Sequence, residues 1–157
     1  LAVLYRGALR ITEALALRPK DIDLTAGTIR VLHGKGDKAR TVGVDDGTLS
    51  LLQIWLDTRK GLGKDGRHPL FTVLRGNHAM SGQACRALLH RLGEKVGIEK
   101  RCNPHSLRHS GACFWEASGV KINEISRRLG HATVEGTIRY LGPLSKVAQY
   151  VPSGMWC

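Results

Sequence analysis

Two β-branched runs, TIRVLH at residues 28–33 and ARTVGV at residues 39–44, constrain this chain more than any other feature. Each alternates in part between apolar and polar positions, and GKGDK lies between them. Branched side chains favour the pleated surface of a sheet, and a short glycine-bearing connection turns the chain back on itself. The pair predicts a β-hairpin with Lys35 and Lys38 at its tip. Residues 20–24 are a candidate for a further short strand, and residues 70–73 for an extended piece. Elsewhere the apolar spacing is helical. Residues 1–17 read as one helix, with Leu1, Leu4, Leu9, Ala14 and Leu17 apolar and Pro19 as its stop. Leu49, Leu52, Trp55 and Leu56 mark a second helix from Asp46 to about Leu62. Ser81 caps a third, which runs to about Val96 before Gly97. Asn103 followed by Pro104 opens a fourth, ending at Gly119. Ile122, Ile125 and Leu129 form one face of a fifth, closed by Gly130. The expectation is one mainly α domain with a small antiparallel β-sheet, an α+β fold.

Charge narrows the partner. Lys and Arg number 24 against 13 Asp and Glu, a net charge of +11. Such an excess favours a polyanion, because phosphate contacts release counterions. Aromatic residues make up 5% of the chain, which argues against a stacking platform for single strands and for duplex DNA. No apolar run approaches the about 20 residues of a membrane span. The opening LAVLYRGALR is interrupted by Arg6 and Arg10 too early for a signal peptide. It reads as the inside of a helix, so the sequence is expected to begin partway through a domain. Cys85, Cys102, Cys113 and Cys157 form no C-x-x-C pair, which predicts neither zinc nor a disulfide framework but reduced thiols in a cytoplasmic protein.

Two clusters carry chemistry. In NPHSLRH, residues 103–109, His105 and Arg108 stand three apart on one helix face, near its first turn. Free N–H groups there favour an anion, and arginine offers a fork for two phosphate oxygens. The pair is either a phosphate site or a solvated basic turn. His105 and His109 stand four apart, but a zinc-protease motif needs Glu where Ser106 stands. Gly34 and Gly36 lack the third glycine of a dinucleotide loop, and no phosphate-binding G-x-x-x-x-G-K-[ST] run exists. No cofactor and no metal are expected. In LGHATVEGTIRY, residues 129–140, His131 follows a glycine stop and Tyr140 lies nine residues on. Singly, the first suits a helix-end cap and the second an amphipathic edge.

Taken together, YRGALRITEALAL with RPKDID, then GKGDKAR, HSLRH, and LGH with its tyrosine, resemble the tyrosine recombinases and phage integrases. The motifs occur in family order from Tyr5 to Tyr140. The resemblance implies that residues 1–157 are a catalytic domain lacking its first part and the upstream helical domain that clamps DNA, so that the fragment binds DNA weakly. It makes Arg10 and Arg108 the phosphate-clamping arginines, Lys35 the general acid, His105 and His131 the remaining active-site positions, and Tyr140 the nucleophile. Glu13 matches a residue that supports the first arginine. Lys38 and Arg40, flanking the hairpin tip, are expected to touch DNA backbone. Two positions depart from the pattern: Gly7-Ala8 replaces the usual T-G, which a helix tolerates, and Gly136 stands where Ser or another ordinary residue is more common. The latter predicts a mobile tyrosine segment.

The implied reaction is cleavage and rejoining of DNA strands through a 3′-phosphotyrosine bond, in DNA integration or recombination. It conserves the bond energy, so no ATP is needed. Free tyrosine has a pKa of about 10, leaving on the order of one phenolate in a thousand at neutral pH. Arginines and imidazoles favour the anion, with His105 the candidate base. The rivals are a type IB topoisomerase and a catalytically silent DNA-binding relative. Beyond Tyr140, the stripe of Leu144, Val147, Ala148 and Val151 packs either on its own domain or on a neighbouring protomer in a DNA-bound assembly, tetrameric in the family. The resemblance also implies a bacterial or phage-encoded protein.

Overall fold

The first expected helix is broken in two by its own polar residues. In the computed structural model, which describes residues 1–32, 39–100 and 102–142, α1 spans Ala2–Tyr5 and α2 spans Ile11–Ala16. Glu13 accepts the Arg10 backbone N–H at 2.8 Å, so a fresh helix starts at Ile11 while Arg10 stays extended. Gly7 and Ala8 form the turn between the two helices and are not helical. A Cβ on Gly7 would come within 2.8 Å of the Val3 carbonyl oxygen. Ala8 has φ of 44°, a left-handed conformation that costs a non-glycine residue about 1–2 kcal/mol. Its carbonyl accepts a hydrogen bond from the buried Arg108, which holds the turn to the core.

After α2 comes a 3₁₀ turn, Pro19–Asp21, and then the sheet, with strands β1 (Ile22–Asp23), β2 (Thr28–Val31) and β3 (Arg40–Gly43) in that order and all antiparallel. Ile29 stands opposite Val42, and Val31 opposite Arg40. Ile29, Val31 and Val42 are buried, so one face of the hairpin meets the core. The connection carrying Lys35 and Lys38 lies outside the described residues, as does the apolar stripe after Gly142.

Most of the remaining helices open on capping side chains, of which Ser81 and Asn103 were singled out in the sequence. Asp45 caps α3 (Asp46–Gly61), Ser81 caps α4 (Gly82–Lys95), and Asn103 caps α5 (Pro104–Ala117). Next come α6 (Ile122–Leu129), ended by the left-handed Gly130, and α7 (Val134–Leu141), capped by Thr133. The extended piece after α3 makes a single bridge, Thr72 to Ala79. It is fastened by the buried Arg59, which donates to the Pro69 carbonyl at 2.8 Å, and by Leu70, whose N–H bonds to Leu17. α5 runs through the centre, burying Gly111, Ala112, Cys113 and Trp115. α1 lies so close that a Cβ on Gly111 would overlap the Tyr5 carbonyl. That contact sets the Arg10 turn against the helix bearing Arg108.

Candidate active site

Three arginines from distant parts of the chain meet on one carboxylate. Glu13 is 4% exposed. It accepts Nη1 of Arg10 at 2.9 Å, and both Nη1 and Nη2 of Arg40 at 2.9 and 2.8 Å. Nη1 of Arg108 stands 3.8 Å from the same carboxylate. Burial works to raise the Glu13 pKa, but hydrogen bonds from Arg40 and Arg10 outweigh it, and the net shift is downward. The second meeting point is the C-terminal end of α6, where a helix leaves carbonyls unpaired. Leu129 accepts from Arg108 at 2.8 Å and from Arg10 at 3.3 Å, and Arg128 accepts Nε of Arg40 at 2.8 Å. The helix dipole favours cations there. Burial, with the neighbouring charge of Arg10, lowers the Arg108 pKa to about 10, which still leaves it cationic at neutral pH.

Arg10, Thr12, His105, Arg108, His131 and Tyr140 line a cleft of about 370 Å³. Tyr140 projects from α7 into a ring of imidazoles. The ring centres of His109 and His131 lie 5.2 Å from its own, and that of His105 lies 5.8 Å away, all edge-on. Its hydroxyl is buried and makes no well-formed hydrogen bond among the described residues, with the Arg108 guanidinium its largest polar influence. Burial raises the phenol's pKa, and the charge of Arg108 offsets only part of that rise. His131 is oriented from behind, with Nδ1 2.9 Å from Oγ1 of the fully buried Thr137. Burial, and then the charge of His105, lowers the pKa of His109 and favours its neutral form.

Of the residues singled out in the sequence, Arg10, His105, Arg108, His131 and Tyr140 come together, and Lys35 and Lys38 lie outside the described residues. Arg40 does not fit the DNA contact expected of it. Its side chain is 8% exposed and its guanidinium is committed to Glu13 and the end of α6. The helix end at His105 also differs from expectation. Asn103 accepts the N–H groups of both His105 and Ser106, so an anion would be held by side chains rather than by those amides. Besides the cleft-lining Thr12, two site residues went unassigned in the sequence. His109 was legible, since it stands one helical turn from His105; Thr137 carries no signal beyond its distance from His131.

A model of the phage integrase family matches residues 1–146. The chain is 32% identical to the tyrosine recombinase XerD of Staphylococcus aureus, over 89% of this chain and 48% of that protein. Its fold superposes on the crystal structure of XerA recombinase with a TM-score of 0.85 at 33% identity, covering 94% of this chain and 52% of the other. The XerH site-specific recombinase in a pre-cleavage complex with difH gives 0.73 at 29% identity, over 88% of this chain and 40% of that one. The chain thus spans about half the length of the curated relatives it matches.

Proposed function

The chain belongs to the phage integrase family, and from that premise we propose that it cleaves and rejoins duplex DNA at specific sites through a covalent bond to Tyr140. The observation that carries this function is the placement of Tyr140 among three imidazoles, in a cleft it shares with Arg10 and Arg108. In the proposed reaction the Tyr140 oxygen attacks a backbone phosphorus, forming a P–O bond as the bond to the 5′ oxygen breaks. His105 takes the phenol proton, and Lys35 delivers a proton to the departing oxygen. Arg10, Arg108 and His131 stabilise charge on the non-bridging oxygens. The net charge of +11 suits a duplex partner. Relatives such as XerH are solved on DNA substrate, which supports DNA as the partner. We extend this to self-association on DNA, as a tetrameric synapse.

A pool of nicked duplexes, randomised around the nick and trapped with detergent, tests the proposal. The wild-type chain should yield a protein–DNA adduct that Tyr140→Phe does not form. An adduct that persists in Tyr140→Phe contradicts the assignment. Relaxation of any supercoiled plasmid, with no need for paired sites, would replace recombination with topoisomerase activity.

A further inference from the structure

Among the described residues, Arg40 links the sheet to the cleft without lining it, and its side chain is 8% exposed. Its fork meets both oxygens of Glu13, while Nε ties it to the Arg128 carbonyl. The turn after α6 lies against it: a Cβ on Gly130, where φ is 65°, would come within 3.2 Å of the Arg40 guanidinium carbon. His131 is the next residue. We propose that Arg40 is a positioning residue of this site, one that neutralises Glu13 so that Arg10 and Arg108 keep their charge for the substrate phosphate, and that holds the turn presenting His131. This inference rests on the recombinase function proposed above.

Among the described residues, three guanidiniums against one carboxylate leave a net +2 beside the cleft; without Arg40 that balance is +1, and the buried anion faces Arg10 and Arg108. An unshared carboxylate in a poorly solvated site draws the remaining cations toward itself. The planar fork of arginine matches a carboxylate with two parallel bonds, which lysine cannot reproduce.

The test compares the wild-type chain with Arg40→Gln, Arg40→Lys and the double variant Glu13→Gln/Arg40→Gln. Single-turnover adduct formation, DNA affinity and the salt dependence of binding are measured for each. Arg40→Gln should slow adduct formation by about a hundredfold, and its affinity should stay within about threefold of wild type with the same salt slope. Arg40→Lys should fall between the two, and it gives the same split if Arg40→Gln does not fold. The double variant should react faster than Arg40→Gln, because the stranded carboxylate is gone. An unchanged rate overturns the proposal, as does a double variant no faster than Arg40→Gln. So does a salt slope smaller by about 0.9, which would make Arg40 a phosphate contact. If the wild-type chain forms no adduct, the recombinase function fails, and Arg40 is judged by NMR titration of the Glu13 carboxyl. Its pKa should rise in Arg40→Gln; an unchanged value contradicts the tie.

Discussion

Arg10, Arg40 and Arg108 are each held by two or more partners, on Glu13 and on the last carbonyls of α6. Tyr140 stands instead on an eight-residue helix, its hydroxyl buried and without a well-formed hydrogen bond among the described residues. The two regions face each other across one cleft, yet one is fastened by ionic hydrogen bonds and the other by packing. The difference suits what each would do in the proposed reaction. Stabilising charge on a phosphate works best when the donors are fixed before the reaction, so that nothing reorganises during it. A nucleophile must approach phosphorus and later leave it, and a buried hydroxyl tied to a strong partner would resist that movement.

Breaking the fastened side should have the largest effect. Glu13→Gln leaves the buried Arg108 and the half-buried Arg10 and Arg40 without their counter-charge and should cost about 3–5 kcal/mol, read as a lower urea midpoint. Because the Glu13 pKa is depressed in the folded state, its contribution is complete above the unfolded value of about 4.3 and is lost as pH falls through the folded value. The gap between wild type and Glu13→Gln should therefore narrow in acid; a gap constant from neutral pH to below pH 3, well under the normal carboxylate range, would deny the depressed pKa.

Gly111→Ala tests the same side by geometry, since its methyl would force α1 and the Arg10 turn away from α5. It should destabilise by about 1–3 kcal/mol, and an unchanged melting temperature would contradict the close approach. On the tyrosine side the effects should be smaller. Thr137→Val removes one partner of His131 without leaving a void, so a loss of about 1 kcal/mol is expected, with adduct formation slowed by on the order of tenfold. A wild-type rate would show that His131 needs no support from Thr137. Gly136→Ala should do least. Its helix gain of up to about 1 kcal/mol is reduced by a methyl 3.3 Å from the capping Thr133 hydroxyl. Slower amide exchange around Tyr140 is the expected result, and unchanged exchange would mean that Gly136 does not loosen the segment.

The hairpin and most of the helix ends were legible because caps and branched runs act locally: Ser81, Asn103 and Gly130 sit where the sequence put them. The break between α1 and α2 was not, because it depends on Glu13 turning back to the Arg10 amide and on Arg108 gripping Ala8 from a hundred residues away. The same limit explains Arg40. Beside a lysine-bearing hairpin tip it looks like a surface cation, and only the arrival of Glu13 and α6 turns its guanidinium inward. Motif order sufficed to bring Arg10, His105, Arg108, His131 and Tyr140 into one site. It could not say which arginines face the cleft and which hold those that do.

The most direct measurement is peptide mapping of the covalent adduct by mass spectrometry. After trapping and nuclease digestion, a nucleotide remnant should sit on Tyr140, on the peptide that follows Arg139. A remnant on Tyr5 or Tyr150, or on a residue that is not tyrosine, would contradict the placement of the reacting hydroxyl between the arginines and the imidazoles.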